Sequence, residues 1–145
     1  MTMQLQSATS TPDALSLQPP RGYRPMAWLG LLVNLLILPL TFRFVLSDPF
    51  WRTANITIAA AGVLPTAVLG LIASIALLRW RHWGQILAIV ALSLSLAVCL
   101  PYGIVRLVMV EPGRSHLAIA APATWLINAA ALVFWCRPDI RTYLR

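Results

Sequence analysis

Four long apolar runs decide what this chain can fold into. They cover Met26–Phe42 and roughly residues 54–78, 83–105 and 117–136 of a 145-residue sequence. A helix crossing ~30 Å of hydrocarbon needs ~20 such residues. The first run is the shortest and gains Phe44–Leu46 beyond Arg43, whose long side chain can snorkel back to the headgroups. Backbone groups in lipid are satisfied only in helices or closed barrels. Barrel strands are ~10 residues long and alternate in polarity, so continuous runs of this length predict helices. Only 10% of the residues are charged, against about a quarter in a soluble domain. The expected fold is all-α: an integral membrane four-helix bundle built from two transmembrane hairpins over residues 26–145.

Residues 1–25 are different material, rich in Gln, Ser, Thr and Pro and without a helical stripe. Such a segment buries too little apolar surface to order itself and is expected to be a disordered cytoplasmic tail. It lacks the apolar core of a signal peptide, and the run after it exceeds the usual signal length of about 7–15 residues. An uncleaved first span is expected.

Topology follows from the arginines, which supply all 11 basic residues against 4 acidic ones. Arg21, Arg24, Arg79, Arg81, Arg137, Arg141 and Arg145 fall on one side of the four spans; Arg43, Arg52, Arg106 and Arg114 fall on the other. The excess places both termini in the cytoplasm. Arg79, Arg81, Arg137 and Arg141 are then cytoplasmic contacts to lipid headgroups. Nucleic-acid binding would need a basic patch or stripe. Here the arginines come in ones and twos between apolar runs, so no nucleic-acid partner is expected. Trp28, Trp51, Trp80, Trp83 and Trp135 all fall near expected interfaces, where indole prefers to sit.

The chain resembles itself at an offset of 62 to 63 residues. Leu38-Pro39 leads to Arg43 and then Asp48-Pro49; Leu100-Pro101 leads to Arg106 and then Glu111-Pro112. A duplicated hairpin is the reading, with a pseudo-twofold axis along the membrane normal. An acid followed by Pro also suits a helix start, which is the structural reading of the motif. The functional one is an outer-face site for an anion or a partner, formed by Arg43, Asp48, Arg106 and Glu111.

Small and polar residues mark the faces that should pack against other helices. The second span carries Gly62, Thr66, Gly70 and Ser74 at intervals of four, extended backward by Ala59 and Asn55. The third carries Ala91, Ser95, Cys99 and Gly103, and the fourth Ala120, Thr124 and Asn128. Such stripes let helix backbones approach closely. Asn34 and Asn128 are expected to hydrogen-bond across helices, because a lone amide in lipid needs a partner. Pro65 and Pro122 lie inside spans and should kink them.

Several chemistries find no support in the sequence. No acid lies within a span, which argues against proton- or cation-coupled transport. His82 and His116 fall on opposite faces, so they cannot share a metal or haem. Cys99 and Cys136 are separated along the membrane normal by on the order of 20 Å at 1.5 Å per residue, too far for a disulfide. Phosphate-loop, zinc-protease, nucleophile-elbow and dinucleotide motifs are absent from the sequence. No cofactor, metal or catalytic residue is expected.

Leu77-Leu-Arg79-Trp-Arg81-His-Trp83-Gly-Gln-Ile-Leu-Ala resembles a pattern of small uncharacterised bacterial membrane proteins, in which an Arg-rich turn with a Trp joins two spans. The ending Arg137-Pro-Asp139-Ile-Arg141-Thr-Tyr143-Leu is similar to their usual end. The resemblance covers about a third of the chain, which departs from it in the long outer loop and in Arg106. It implies a four-helix protein of the bacterial cytoplasmic (inner) membrane, with no assigned activity.

The leading functional expectation is a non-enzymatic accessory or scaffold subunit, packed against itself or against a larger membrane complex. A small oligomeric transporter or channel is the alternative, and a membrane enzyme acting on a lipid-phase substrate is the third.

Overall fold

The computed structural model describes residues 19–47, 49–109 and 115–144. Within them every regular element is helical: α1 (Tyr23–Ser47), α2 (Arg52–Ile58), a π-helical turn (Ala59–Val63), α3 (Leu64–Leu78), α4 (His82–Val108), α5 (Ser115–Trp135) and α6 (Pro138–Tyr143). Three helices are long and apolar enough to cross a membrane: Tyr23–Arg43, Arg52–Leu78 and His82–Val108. A fourth apolar stretch, Ile119–Trp135, is shorter. Among the tail residues expected at 1–25, residues 1–18 lie outside the described ones. Tyr23 and Arg24 already belong to α1, and Tyr23 is buried.

The second rod runs through α2, the π turn and α3 without a break. Pro65 explains where the widening falls. A proline gives no N–H to the carbonyl four residues back, and wider turns of this kind interrupt α-helices at single points. The Leu64 N–H reaches five residues back to the Ala59 carbonyl. The Thr66 hydroxyl then donates to the Gly62 carbonyl at 2.9 Å and the Val63 carbonyl at 3.0 Å.

Neighbouring rods are antiparallel because the connections are short. α3 packs on both α1 and α4, and α4 packs on α5, whereas among the described residues α1 and α5 do not pack along their lengths. The four rods therefore form an open arc, α1–α3–α4–α5. Its outward faces are apolar, with Leu32, Leu36, Ile72, Ile86, Leu126 and Val133 exposed. That surface suits hydrocarbon rather than water, and the protein is membrane-embedded and multi-pass.

The arc closes at the end that carries the α3–α4 turn. Tyr23 stacks on Trp80 with ring centroids 5.0 Å apart, and Trp135 and Tyr143 meet it edge-on. Its hydroxyl donates to the Leu77 carbonyl at 2.8 Å. α6 folds beneath this cluster and buries Ile140 completely. The turn itself ends α3 through Trp80, whose φ of 58° lies in the left-handed region. The Arg81 N–H bonds back to the Ala76 carbonyl at 2.9 Å, an arrangement that usually uses glycine at this point.

Candidate functional site

The α1–α3 crossing is built from reciprocal pairs of a glycine and a small polar residue. A Cβ on Gly30 would sit 2.9 Å from the Ser74 hydroxyl, and one on Gly70 would sit 2.6 Å from Cγ of Asn34. Each polar side chain turns back to its own helix. The Asn34 amide donates to the Gly30 carbonyl at 2.7 Å, and the Ser74 hydroxyl to the Gly70 carbonyl at 2.8 Å. The glycine opposite makes the room, and the carbonyl four residues back satisfies the donor.

The same bond back to the own helix recurs outside that crossing. Thr41, Thr66, Thr124 and Asn128 all donate to the carbonyl four residues back. The interhelical bonds expected of Asn34 and Asn128 are not found among the described residues. The own-helix carbonyl is within reach without any movement of a neighbouring helix, which is why it is taken instead.

Between the four rods lies a groove of about 380 Å³. It runs from Met26, Leu77 and Trp135 at the aromatic end to Ile37, Val63 and Cys99 at the other. Of the packing residues expected from the sequence, Asn34, Gly62, Thr66, Gly70, Ser74, Ala91, Ser95 and Asn128 all line it. Gly103 does not: it seats the indole of Trp125, which a Cβ there would meet at 2.6 Å. That indole donates to the Cys99 carbonyl at 3.2 Å. Cys99 and Cys136 are free thiols.

Beyond Ile37 and Val63, which border both spaces, a second pocket of about 190 Å³ lies between α1 and α2. Thr41 and Asn55 line it. Asn55 is 1% exposed; its carbonyl oxygen accepts from the Tyr102 hydroxyl, while its amide nitrogen has no partner among the described residues. Nearby on α4, Arg106 is only 8% exposed and its guanidinium lies 4.8 Å from the centre of the Trp51 ring. Arg43 is exposed. The two arginines of the outer motif thus occupy unlike environments, and its acids, Asp48 and Glu111, lie outside the described residues.

At the aromatic end Arg79, Arg81, Arg137 and Arg141 are all exposed. Arg24 lies over Trp80 at 5.4 Å and Arg137 over Phe134 at 5.5 Å. Gln85, buried at the start of α4, donates to the Trp135 carbonyl at 2.7 Å. That carbonyl sits at the end of α5, where no further helical N–H follows. Sequence reasoning missed Tyr23, Gln85 and Tyr102; a polar residue at the edge of an apolar run was the available signal for Gln85. Among the described residues no three His, Cys, Asp or Glu side chains come together to hold a metal. No family model, curated protein or solved structure matches the chain.

Proposed function

We propose that the chain is a four-span protein of the bacterial cytoplasmic membrane, with both termini inside, serving as a non-enzymatic accessory or scaffold subunit. α5 is the fourth span in this reading, and the four rods make a bundle of two hairpins, α1 with α2–α3 and α4 with α5. The observation that carries the role is the openness of the arc. Among the described residues α1 and α5 each keep a flank without a helical neighbour. On α5, Ile119, Leu126 and Val133 are exposed at intervals of seven, the spacing on which a second helix seats itself. A partner subunit or a second copy would meet the protein there, within the bilayer.

The seven-to-four division of arginines supports the orientation. The exposed arginines around the aromatic end then face anionic headgroups of the inner leaflet. Reporter fusions after the C-terminus and within residues 106–116 are expected to give opposite signals; equal signals overturn the topology. Purification in mild detergent is expected to bring a larger membrane complex with the chain or to recover a homo-oligomer. Leu126→Arg should abolish that association, and a monodisperse monomer in the unaltered protein overturns the accessory role.

A transport path is the second reading, favoured by the convergence of Asn34, Ser95 and Asn128 on one groove. Against it, Tyr23, Leu77 and Trp135 close one end. Solute flux in reconstituted vesicles would decide for it.

A further inference from the structure

We propose that the groove and the pocket beyond it bind one phospholipid, with an acyl chain in the groove and its ester carbonyl oxygen at the Asn55 amide. The inference rests on the membrane-embedded reading and not on the accessory role.

Three observations carry it. The first is shape. From Met26 to Ile37 the groove follows eleven residues of α1, about 16.5 Å at 1.5 Å per residue. An extended hydrocarbon chain suits a run of that length lined chiefly by apolar side chains.

The second is chemistry. Asn34, Thr66, Ser74, Thr124 and Asn128 line the groove, yet each donates to a carbonyl of its own helix. Those donors are thereby engaged, and the remaining lining is mostly apolar, with Ser95 and Cys99 its other polar members. Apolar cavities stay dry, and a cavity bordering hydrocarbon has chains at hand to fill it.

The third is the orphan donor. The Asn55 amide nitrogen is buried without a partner among the described residues, and Asn55 lines the pocket that shares Ile37 and Val63 with the groove. Leaving such a donor unmet is unfavourable. An acyl chain whose methyl end rests near Met26 and Trp135 brings its carbonyl oxygen toward that donor. The polar headgroup then emerges at the end of the molecule where Arg43 and Arg52 are exposed.

The test uses the full chain reconstituted in vesicles containing phosphatidylglycerol with a photoreactive diazirine, placed either near the acyl terminus or near the ester. Resistance to alkaline extraction is checked first; a chain that washes off overturns the membrane reading and the lipid site together. In the inserted chain, the terminal label is expected on peptides holding Met26, Leu77 or Trp135. The ester-proximal label is expected on peptides holding Thr41 or Ile58. The reverse order, or labelling no stronger there than on outward faces such as Leu36 and Ile86, overturns the lipid site alone.

Ala131 lines the groove, while its neighbour Ala130 is exposed and does not. Ala131→Trp should lower the groove labelling about tenfold by occupying the space. Ala130→Trp should leave it unchanged. Equal labelling in both variants also overturns the site, and the mapping on the unaltered chain stands whether or not Ala131→Trp folds.

Discussion

The Asn34 carboxamide on α1 fills the space into which a side chain at Gly70 on α3 would grow. The Gly70 Cβ position lies 2.6 Å from Asn34 Cγ, so neither residue can be enlarged without moving the other. Gly70→Ala is expected to destabilise the protein by about 1–3 kcal/mol through overpacking. Gly70→Leu should do much more harm than Leu69→Ala, because Leu69 is only half-buried. The pair should also be coupled. In an Asn34→Ala background, Gly70→Ala should lose most of its effect, a coupling of about 0.5–3 kcal/mol. Reversible unfolding in detergent measures the four species of that cycle, and additive effects would show that the crossing is looser than described.

Trp80 offers a separation of strain from stacking. Its left-handed φ costs roughly 1–2 kcal/mol in a residue with a Cβ, yet its ring lies flat on Tyr23. Trp80→Ala should lose the stack and keep the strain. Trp80→Gly should lose the stack and relieve the strain. The glycine variant is therefore expected to be the more stable of the two by about 1 kcal/mol. Detergent melting temperatures compare them directly, and an alanine variant equal to the glycine one would place the turn in another conformation.

Three apolar helices of membrane-crossing length and the buried faces of the second and third rods were legible in the sequence. Run length locates the rods, and intervals of four mark the faces on which Asn55, Gly62, Gly70, Ala91 and Gly103 are buried. Tyr23 was not legible. It sits next to a Pro-rich stretch, and its burial depends on Trp80, Trp135 and Tyr143, brought from three distant segments. α6 was hidden for the same reason: Arg137-Pro138 reads as an end, and only the aromatic cluster above gives Ile140 something to cover. Asn34 and Asn128 line the groove, but their partners were not legible, since a donor in a helix can choose its own fourth carbonyl back over a neighbour's. The groove was out of reach, because it arises from the failure of α1 and α5 to meet along their lengths.

Gln85 should prove to be a cap rather than a bystander. Its amide serves the Trp135 carbonyl at the end of α5, linking the start of α4 to the end of α5. Gln85→Leu preserves size but leaves that carbonyl unmet, at about 1–3 kcal/mol. Glutamate at 85 is the sharper test, since a carboxylate cannot donate and a protonated carboxyl can. Gln85→Glu should be destabilised at neutral pH and recover as the pH is lowered through the carboxyl's titration, whereas Gln85→Leu should not. Melting curves across pH for both variants check this, and parallel behaviour of the two would remove the hydrogen bond from the account.

Arg43 and Arg106 stand at matching points of the sequence motif but should answer differently to removal. Arg43 is exposed, and loss of an exposed charge typically changes stability by no more than about 0.5 kcal/mol. Arg106 is buried with its guanidinium over Trp51, on the same helix as Tyr102, which holds Asn55. A cation over an indole is worth about 2 kcal/mol when desolvated. Arg106→Ala is therefore expected to cost at least that, and Arg43→Ala close to nothing. Trp51→Leu supplies the control: it removes the ring and leaves the guanidinium, so it should reproduce part of the Arg106 effect, and the double variant should fall short of the sum. Arg106→Lys should rescue only in part, because an ammonium keeps the cation but lacks the guanidinium's planar fork of donors. Stability in detergent for the five variants decides the matter. Equal, small effects at 43 and 106 would show that neither arginine is held by the protein interior.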